Sequence, residues 1–440
     1  MSYPSLAFKS RELYEEAKKY MPGGNTRTTV YMKPFPLYGA RGMGCRVWDA
    51  DGQERIDCIN NFTSQIHGYC NPKIHEAVLK QLALGTCFGM PTESEISLAR
   101  VLVERLPSIE SIRFTNSGTE AVMMALKAAR AFTGRPKIAK VEGAYHGSYD
   151  YAEISLDSSP RNWGDVDPLS VPYAKGTPQG VSDDVVVLPF NNPEEATRII
   201  QQHAGTLAAV LVDPLPNRAG LVPASQEYVA ALRKAANDIG ALLIFDEVIS
   251  YRLGYHGAQP LWNVHADLTT LGKVIGGGFP VGAVGGRNEV MAVFDPSQGK
   301  PALPHGGTFS ANPISMVAGL AAVKQLDHAA YERLEQMGEA VRSEANLSFK
   351  RHGVPGLAVG MGSLLKIHFT GNQIADYRSV YPTEREAEML RTFNLTLLNT
   401  GVLAASYGLM ALSTPMTDSD VHQVSAAIDT AIADVKRAYL

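Results

Sequence analysis

The chain has 440 residues, of which 45% are hydrophobic and 19% are charged, and its formal net charge is −4. This is the composition of a folded globular protein, long enough for two structural domains, and it excludes a disordered or fibrous chain. The small negative charge gives no electrostatic reason to expect nucleic acid or an anionic membrane as a partner, and no apolar run reaches the ~20 residues of a membrane-spanning helix.

The N-terminal residues and the cysteines indicate a compartment. Residues 1–24 are charged and helical in pattern, and they lack the apolar core of a signal peptide. No pair of the four cysteines has C-x-x-C spacing, which argues against a zinc site or a redox dithiol: Cys45, Cys58, Cys70 and Cys87. We therefore expect a reduced, cytoplasmic protein without a bound metal.

Three regions follow each other along the chain. Residues 1–65 combine a first helix with short strands, and Asp51-Gly52 between apolar runs predicts a hairpin turn. Residues 66–317 alternate apolar strands with amphipathic helices, which predicts an α/β domain whose mostly parallel sheet is covered by helices. In residues 318–440 helices dominate around one strand, SLLKIHF, and indicate a smaller α+β domain that the N-terminal segment is expected to join.

The segment 151–183 interrupts the alternation of strands and helices. It is rich in Ser, Asp, Pro and Gly and has no hydrophobic periodicity. A loop of this length inside a compact domain is uncommon and is often a functional flap. A solvated insertion is the alternative, and the sequence leaves both open.

Asp246, in LLIFDEV, is predicted at the C-terminal end of a buried strand. Ligands of open α/β sheets bind outside these strand ends. A buried carboxylate is unfavourable unless it is paired, so Asp246 needs a partner or a cationic ligand. A helix cap or a structural ion pair is the alternative.

Lys273 follows another predicted strand, in DLTTLGKVIGGGFP. Neither glycine-rich phosphate motif fits, because Val274 follows the lysine where Walker A needs Ser or Thr, and Val281 replaces the last glycine of G-x-G-x-x-G. A lysine and an aspartate from two strand ends are what a pyridoxal phosphate enzyme requires, since the amine condenses with the aldehyde and the carboxylate keeps the ring nitrogen protonated. If Lys273 reaches a cofactor, the glycines allow the backbone to turn tightly behind it. A surface lysine before a flexible loop is the alternative.

Two further candidates precede these residues in the chain. Ser117, Gly118 and Thr119 open the helix after SIRFTN, where backbone N–H groups and the helix dipole favour an anion such as phosphate. Tyr145, in AYHG after the strand KIAKV, could stack on a planar cofactor. The alternatives are a plain helix cap and a core tyrosine. These residues, Asp246 and Lys273 each lie at a predicted strand end, and a chance occurrence of all of them in this order is improbable.

The sequence resembles the class III pyridoxal-phosphate-dependent aminotransferases of fold type I over nearly its whole length. Within that family it is most similar to the subgroup of glutamate-1-semialdehyde aminomutases and β-phenylalanine aminotransferases. No single motif is specific, but all occur in family order: MPGGNTR, WDADG, RFTNSGTEA, AYHG, LLIFDEV, DLTTLGKVIGGG and GGTFSANP.

The resemblance implies a cofactor, pyridoxal 5'-phosphate, and a role for each matched residue. Lys273 would form the Schiff base with the cofactor and shuttle the Cα proton, and Asp246 would pair with the pyridinium nitrogen. Residues 66–317 would form the large cofactor-binding domain. The remaining contacts implied are ring packing by Val248 and Tyr145, phosphate binding by Ser117, Gly118 and Thr119, and a phosphate contact from the second subunit of a homodimer by Thr308.

The chain departs from the family pattern at two places and matches one subgroup at a third. The family's V-E-P is V-D-P here, with Asp213 in place of the glutamate, and Tyr407 stands where many members carry a mobile, carboxylate-binding arginine. Arg27, in GGNTRTT, matches the arginine that binds the substrate carboxylate in β-phenylalanine enzymes. A solvated or structural arginine is the alternative at position 27.

The function predicted from these residues is transamination by a ping-pong mechanism, from an amine or amino acid donor, aromatic and β-amino donors included, to a keto acid. An aminomutase is the first alternative, and racemisation and decarboxylation use the same electron sink. A non-catalytic cofactor-binding protein would need an effector module, and none is visible in the sequence. A nucleotide-binding protein is disfavoured because the loop motifs fail.

Overall fold

The computed structural model describes residues 3–440. In that part of the chain, every helix is too short or too polar to cross a bilayer. Ten helices have eight residues or more: Phe8–Ala17, Pro72–Leu82, Glu93–Arg105, Gly118–Thr133, Pro193–Gln202, Gln226–Ile239, Pro313–Gln325, His328–His352, Glu384–Asn399 and Asp418–Tyr439. Four shorter helical segments are Asn60–Thr63, Asp150–Glu153, Gln179–Asp183 and Asn288–Met291.

A seven-stranded sheet lies at the centre of the fold. Its strands, in spatial order, are Ser111–Thr115, Gly282–Gly286, Leu268–Gly272, Leu242–Asp246, Leu207–Val212, Lys137–Val141 and Val185–Leu188. Only Gly282–Gly286 runs antiparallel to its neighbours. The prediction of a mostly parallel, helix-covered sheet is confirmed, because apolar strands such as Leu207–Val212 are buried along their whole length.

Local capping signals fix the helices that flank this sheet. Ser117 and Ser225 accept hydrogen bonds from the backbone N–H groups of Glu120 and Tyr228 at two helix starts. The same two helices end at glycines, Gly134 with a φ of 69° and Gly240 with a φ of 65°. Thr383 and Glu386 form a capping box at the start of the helix Glu384–Asn399.

Two smaller sheets involve the ends of the chain. One contains Gly39–Met43, Arg46–Asp49, Glu54–Asp57 and Val402–Leu403, and the other contains Leu357–Val359, Leu364–His368 and Leu409–Ala411. The hairpin turn at Asp51-Gly52 joins two of these strands. Val402–Leu403 pairs in parallel with Glu54–Asp57, so the N-terminal and C-terminal regions share a sheet. The domain limits at 65 and 317 stay a prediction, and the helix Pro313–Gln325 continues across residue 318.

Arg378 links the segment 151–183 to the strand that precedes it through several hydrogen bonds. Arg378 donates from Nε to Oε2 of buried Glu142 at 2.8 Å and from Nη2 to Oε1 at 3.3 Å. The same guanidinium donates to the carbonyl oxygens of Trp163, Gly164 and Asp165 at 2.7, 3.1 and 2.7 Å. The segment is therefore held against the end of the strand that precedes Tyr145, and it is not a solvated insertion along its whole length.

We expect Arg378→Ala to lower the free energy of unfolding by about 3 kcal/mol, because the buried carboxylate of Glu142 loses its counter-charge. Cleavage by a protease within 159–178 should increase at the same time, since three carbonyl contacts are lost. Denaturant unfolding and mass spectrometry of proteolytic fragments measure the two effects. Arg391→Ala is the control. The side chain of Arg391 is 67% exposed, and its ion pair with Glu388 is long, at 3.5 Å. Unchanged stability and cleavage in Arg378→Ala would contradict the assignment.

Candidate active site

A cavity of about 330 Å³ opens at the C-terminal ends of the central strands. It brings together side chains that lie far apart in the sequence. The predicted residues that line it are Ser117, Gly118, Thr119, Tyr145, Asp246, Val248 and Lys273. Additional lining residues include Asn61, Ser64, Asn116, His146, Asp213, Ile249 and Phe279. A volume of this size is in the range of small-molecule sites, roughly 300–1,000 Å³.

Asp246 is a buried carboxylate in which both oxygens accept hydrogen bonds. Oδ1 accepts from the Val248 N–H at 3.1 Å and from the Thr270 hydroxyl at 2.9 Å, and Oδ2 lies 2.7 Å from Nδ1 of His146. Burial by itself would raise the pKa of Asp246, but the hydrogen bonds from His146, the Val248 N–H and Thr270 lower it below the ordinary value. Asp246 is therefore held as an anion facing the cavity.

His146 follows Tyr145, a predicted site residue, but the sequence did not predict the hydrogen bond between His146 and Asp246. Burial lowers the pKa of His146, so a neutral ring that donates from Nδ1 to Asp246 agrees with both shifts. In that tautomer Nε2 is an acceptor, and it is buried without a hydrogen-bond partner among residues 3–440. The neutral histidine orients the carboxylate and adds no charge of its own.

Lys273 immediately follows the strand Leu268–Gly272 and lines the cavity with a positive φ of 49°. This conformation is uncommon for a residue with a side chain, and backbone strain of this kind clusters at functional sites. Burial lowers the pKa of the Lys273 amine, and the charges of Asp246 and Asp213 act in the opposite direction. A larger fraction of the amine is thus unprotonated, and therefore nucleophilic, than at an exposed lysine.

Asp213, the residue that departs from the family glutamate, also lines the cavity. Its Oδ1 accepts from the Leu215 N–H at 2.9 Å, and the residue is only 4% exposed. Burial and then the charge of Asp246 raise the pKa of Asp213 to about 8. The two buried carboxyl groups therefore differ at neutral pH, because Asp246 is ionised and Asp213 is mostly protonated.

The N-terminus of the helix Gly118–Thr133 points its first N–H groups into the cavity wall that Ser117, Gly118 and Thr119 form. These N–H groups have no partner within a helix and can bind an anion. A Cβ at Gly118 would lie 2.8 Å from Cγ1 of Val248. A side chain at position 118 is thus excluded, and the backbone stays open to a ligand.

The glycines after Lys273 have two different roles. Gly277 and Gly278 have φ angles of 57° and 96°, and they allow the backbone to turn after the lysine. Gly282, by contrast, lies in the strand Gly282–Gly286, where a Cβ would lie 2.0 Å from the carbonyl oxygen of Ser117. These roles are structural, and the anion site is assigned to the helix N-terminus at Ser117.

Two predicted site residues lie outside the lining of this cavity. Thr308 is exposed on the surface, in a turn next to Ser310, which accepts from Asn116 at 3.4 Å. Arg27 is exposed as well, and its Nη1 donates to Oδ1 of Asn61, a lining residue, at 2.8 Å.

The segment that carries Asn61 is strained. Asn60–Thr63 form a left-handed turn, with φ angles of 51°, 45°, 54° and 73°. Left-handed conformations cost roughly 1–2 kcal/mol for each residue with a Cβ, so the surroundings must hold them. Asp57 accepts from the Asn60 N–H at 3.0 Å, and buried Arg252 donates to the Thr63 carbonyl at 3.1 Å. Such strain is concentrated at functional sites and here fixes the rim beside Arg27.

The cavity fits pyridoxal phosphate by several independent observations. It combines an amine whose pKa is lowered, a buried carboxylate kept ionised for a ring nitrogen, and a helix N-terminus for a phosphate. Val248 and Tyr145 line the same space and offer surfaces to a planar ring. Lys273 would bind the group covalently, Asp246 would meet its ring nitrogen, and Ser117 to Thr119 would hold its phosphate.

The chain is similar to known proteins over nearly its whole length. The sequence model of the family described as "Aminotransferase class-III" matches residues 29–432. The solved structure of an omega-transaminase from Sphaerobacter thermophilus is 50% identical, with a TM-score of 0.95 over 97% of each chain. The beta-phenylalanine transaminase of Variovorax paradoxus is 38% identical over 96% of this chain and 92% of its own. The glutamate-1-semialdehyde 2,1-aminomutase of Methanosphaera stadtmanae is 36% identical over 96% of this chain and 98% of its own.

Proposed function

This chain belongs to the class III aminotransferases, which use pyridoxal phosphate, and from that premise we propose that it transfers the amino group of an amine or amino acid to a keto acid. Aromatic and β-amino acids are the first donor candidates, because a relative named beta-phenylalanine transaminase is similar over nearly the whole chain. The observation that carries the proposal is that Lys273, Asp246 and the N-terminus of Gly118–Thr133 meet in one cavity.

Lys273 has two tasks in this proposal. Its unprotonated Nζ would hold the cofactor covalently, and once released the same amine would carry a proton between Cα of the donor and the cofactor. The bound cofactor supplies the electron-withdrawing ring that makes this proton acidic. Burial of Lys273 supports both steps, because it lowers the pKa of the amine.

Asp246 is proposed to keep the ring nitrogen of the cofactor protonated. Its ionised state depends on the hydrogen bonds from His146, Thr270 and the Val248 N–H. His146 acts only through Asp246, so we treat it as a positioning residue. Val248 and Tyr145 are proposed to pack on the two faces of the ring, and both line the cavity.

The assembly is also part of the proposal. We expect a cytoplasmic homodimer that acts on small molecules, without nucleic acid or membrane as a partner, and in which Thr308 reaches the phosphate site of the second subunit. Two observations support the dimer: Thr308 is exposed outside the cavity of its own chain, and the adjacent Phe309 is 58% exposed. Sedimentation of the purified holoenzyme measures the assembly.

A donor panel tests the proposed activity. The holoenzyme is mixed with aromatic β-amino acids, α-amino acids and uncharged arylalkyl amines, each with pyruvate or 2-oxoglutarate as acceptor. The visible spectrum of the cofactor reports the donor half-reaction directly. The absence of spectral change with every donor would overturn the proposed transamination.

An aminomutase is the second candidate, because relatives of this name are similar over nearly the whole chain. An aminomutase moves the amino group within one molecule and needs no added keto acid. Turnover of a 4-amino-5-oxo acid without any acceptor would favour this activity. Dependence of turnover on an acceptor favours the transaminase.

We expect Arg27→Ala to reduce kcat/KM for a carboxylate-bearing donor by about 10²-fold, since charge-assisted hydrogen bonds contribute roughly 1.5–3 kcal/mol. For an uncharged amine, kcat/KM should change by no more than about twofold, because no carboxylate is held. The matched control is Arg11→Ala, which removes an arginine that stacks on Phe35 much as Arg27 stacks on Phe62. Equal changes for both donors would eliminate the carboxylate clamp.

A further inference from the structure

The left-handed turn Asn60–Thr63, which we call the rim turn, is held at each end by a buried charged side chain. At its start Asp57, which is 1% exposed, accepts from two backbone N–H groups through Oδ1, at 2.7 and 3.0 Å. At its end Arg252, also 1% exposed, donates from Nη1 to the last carbonyl oxygen of the turn at 3.1 Å. The carboxylate thus meets N–H groups and the guanidinium meets a carbonyl, and both kinds of hydrogen bond are strengthened by the charge.

Neither charge is compensated by an opposite charge. Among residues 3–440, the other hydrogen bonds of these two side chains also go to neutral groups. The Tyr69 hydroxyl donates to Oδ2 of Asp57 at 2.7 Å, and Arg252 donates to the Ser363 hydroxyl at 3.0 Å and to the Leu412 carbonyl at 2.5 Å. Burial lowers the pKa of Arg252 to about 10, so its guanidinium stays charged at neutral pH. Buried charges without a counter-charge are unfavourable for stability, which points to a use in fixing the rim turn.

The rim turn carries the contacts between the cavity and Arg27. Asn61 and the next residue after the turn, Ser64, both line the cavity, and Nδ2 of Asn61 donates to the Ser64 hydroxyl at 3.1 Å. On its other side, Asn61 accepts from Nη1 of Arg27 at 2.8 Å, and the guanidinium carbon of Arg27 is 5.7 Å from the ring centroid of Phe62. Arg27 therefore rests on two successive residues of the rim turn.

The conformation of the rim turn depends on what holds its ends. Four successive residues with side chains have positive φ angles, a conformation that each of them disfavours. Asn60 and Thr63 are buried at the two ends, whereas Asn61 between them is exposed. Loss of either buried charge should allow residues of the turn to return to the right-handed region. That change rotates the peptide planes beside Asn61 and displaces the guanidinium of Arg27.

We propose that Asp57 and Arg252 are positioning residues for the carboxylate of the donor, because they fix the rim turn and the rim turn fixes Arg27. The inference rests on the proposed transamination and on the carboxylate clamp by Arg27, and it adds the residues that set donor selectivity. Neither Asp57 nor Arg252 lines the cavity. Their loss should therefore weaken the binding of a carboxylate and leave the chemistry at Lys273 intact.

The test is the steady-state kinetics of two holoenzyme variants with a carboxylate-bearing donor and with an uncharged arylalkyl amine. In Arg252→Lys we expect KM for the carboxylate-bearing donor to rise roughly 10-fold with kcat within about threefold, since an ammonium group does not reproduce the planar fork of the guanidinium. Asp57→Asn should raise this KM roughly 3- to 10-fold, because the amide oxygen still accepts but carries no charge. For the uncharged amine, KM and kcat should stay within about threefold in both variants.

A double-mutant cycle shows whether the effect passes through Arg27. Adding Arg252→Lys to Arg27→Ala should not weaken the carboxylate-bearing donor further, because the clamp that Arg252 positions is already absent. The matched control is Arg342→Lys, which should leave both donors unchanged. Arg342 is also buried and donates to the carbonyls of Gly362 and Leu364 at 2.6 and 3.0 Å, on either side of the residue that Arg252 contacts, rather than to the rim turn.

Equal changes for both donors in Arg252→Lys and Asp57→Asn would show a structural role and overturn the inference, and so would unchanged kinetics. A further loss in the double variant would overturn it as well, since the effect would not pass through Arg27. Thermal unfolding identifies a variant that does not fold, and the variant at the other end of the rim turn then decides the outcome. A wild-type enzyme that no donor converts would overturn the proposed transamination itself, and this inference with it.

Discussion

Replacing Lys273 with alanine is expected to reduce transamination by roughly 10⁴-fold or more, the upper range for removal of a positioned general base. The variant loses the amine that holds the cofactor and the group that moves the Cα proton. Both tasks require an unprotonated nitrogen at the cavity wall, and burial favours this state by lowering the pKa of Lys273. Steady-state kinetics of the purified holoenzyme measure the loss.

Reductive trapping separates the two tasks of Lys273. Borohydride should attach the cofactor to the peptide that contains Lys273 in the wild-type protein, and no labelled peptide should appear in Lys273→Ala. Lys324→Ala serves as the control, since that lysine lies in the last turn of the helix Pro313–Gln325 and does not line the cavity. A label on any other lysine of the wild-type protein would overturn the central assignment.

Replacing Asp246 with asparagine is expected to reduce kcat/KM by roughly 10³-fold, because removing one partner of a buried charge pair costs about 2–5 kcal/mol. Asparagine keeps an oxygen that can accept from Val248 and Thr270, but it supplies no negative charge for a ring nitrogen. The affinity of the apoenzyme for pyridoxal phosphate should fall together with kcat/KM. Absorbance titration of the apoenzyme and steady-state kinetics measure the two effects.

Asp213→Asn is the matched control for Asp246→Asn. Both aspartates are buried and line the same cavity, but burial raises the pKa of Asp213 to about 8, so its carboxyl group is mostly protonated at pH 7. An amide then replaces a neutral group, and the loss in kcat/KM should be about tenfold or less at pH 7. Equal losses in the two variants would contradict the assignment of the ionised partner to Asp246.

Local sequence signals determined the strands, the helices and the central candidates. Asp246 and Lys273 were placed at strand ends because apolar runs stop immediately before them, and both strands end as predicted. Ser117 marked the start of a helix because capping depends on residues within one turn. The family membership and the fold class followed from several such motifs in order, and the comparisons confirm both.

Contacts between distant segments required the tertiary structure. Thr270 reaches Asp246 only because their strands pair in a particular register, and the sequence contains no local signal for that register. His146 lies 100 residues before Asp246, so its hydrogen bond depends on how two strand ends meet. The same holds for Arg378, whose role became visible only when its five acceptors were brought together.

The sequence by itself thus determined which residue types stand at each strand end, since periodicity, caps and turns act over a few neighbouring residues. The tertiary structure decided which of these ends share a cavity and which carboxyl group is ionised. Burial and the electrostatic field at a side chain are sums over atoms from many segments, and only the packed chain specifies them.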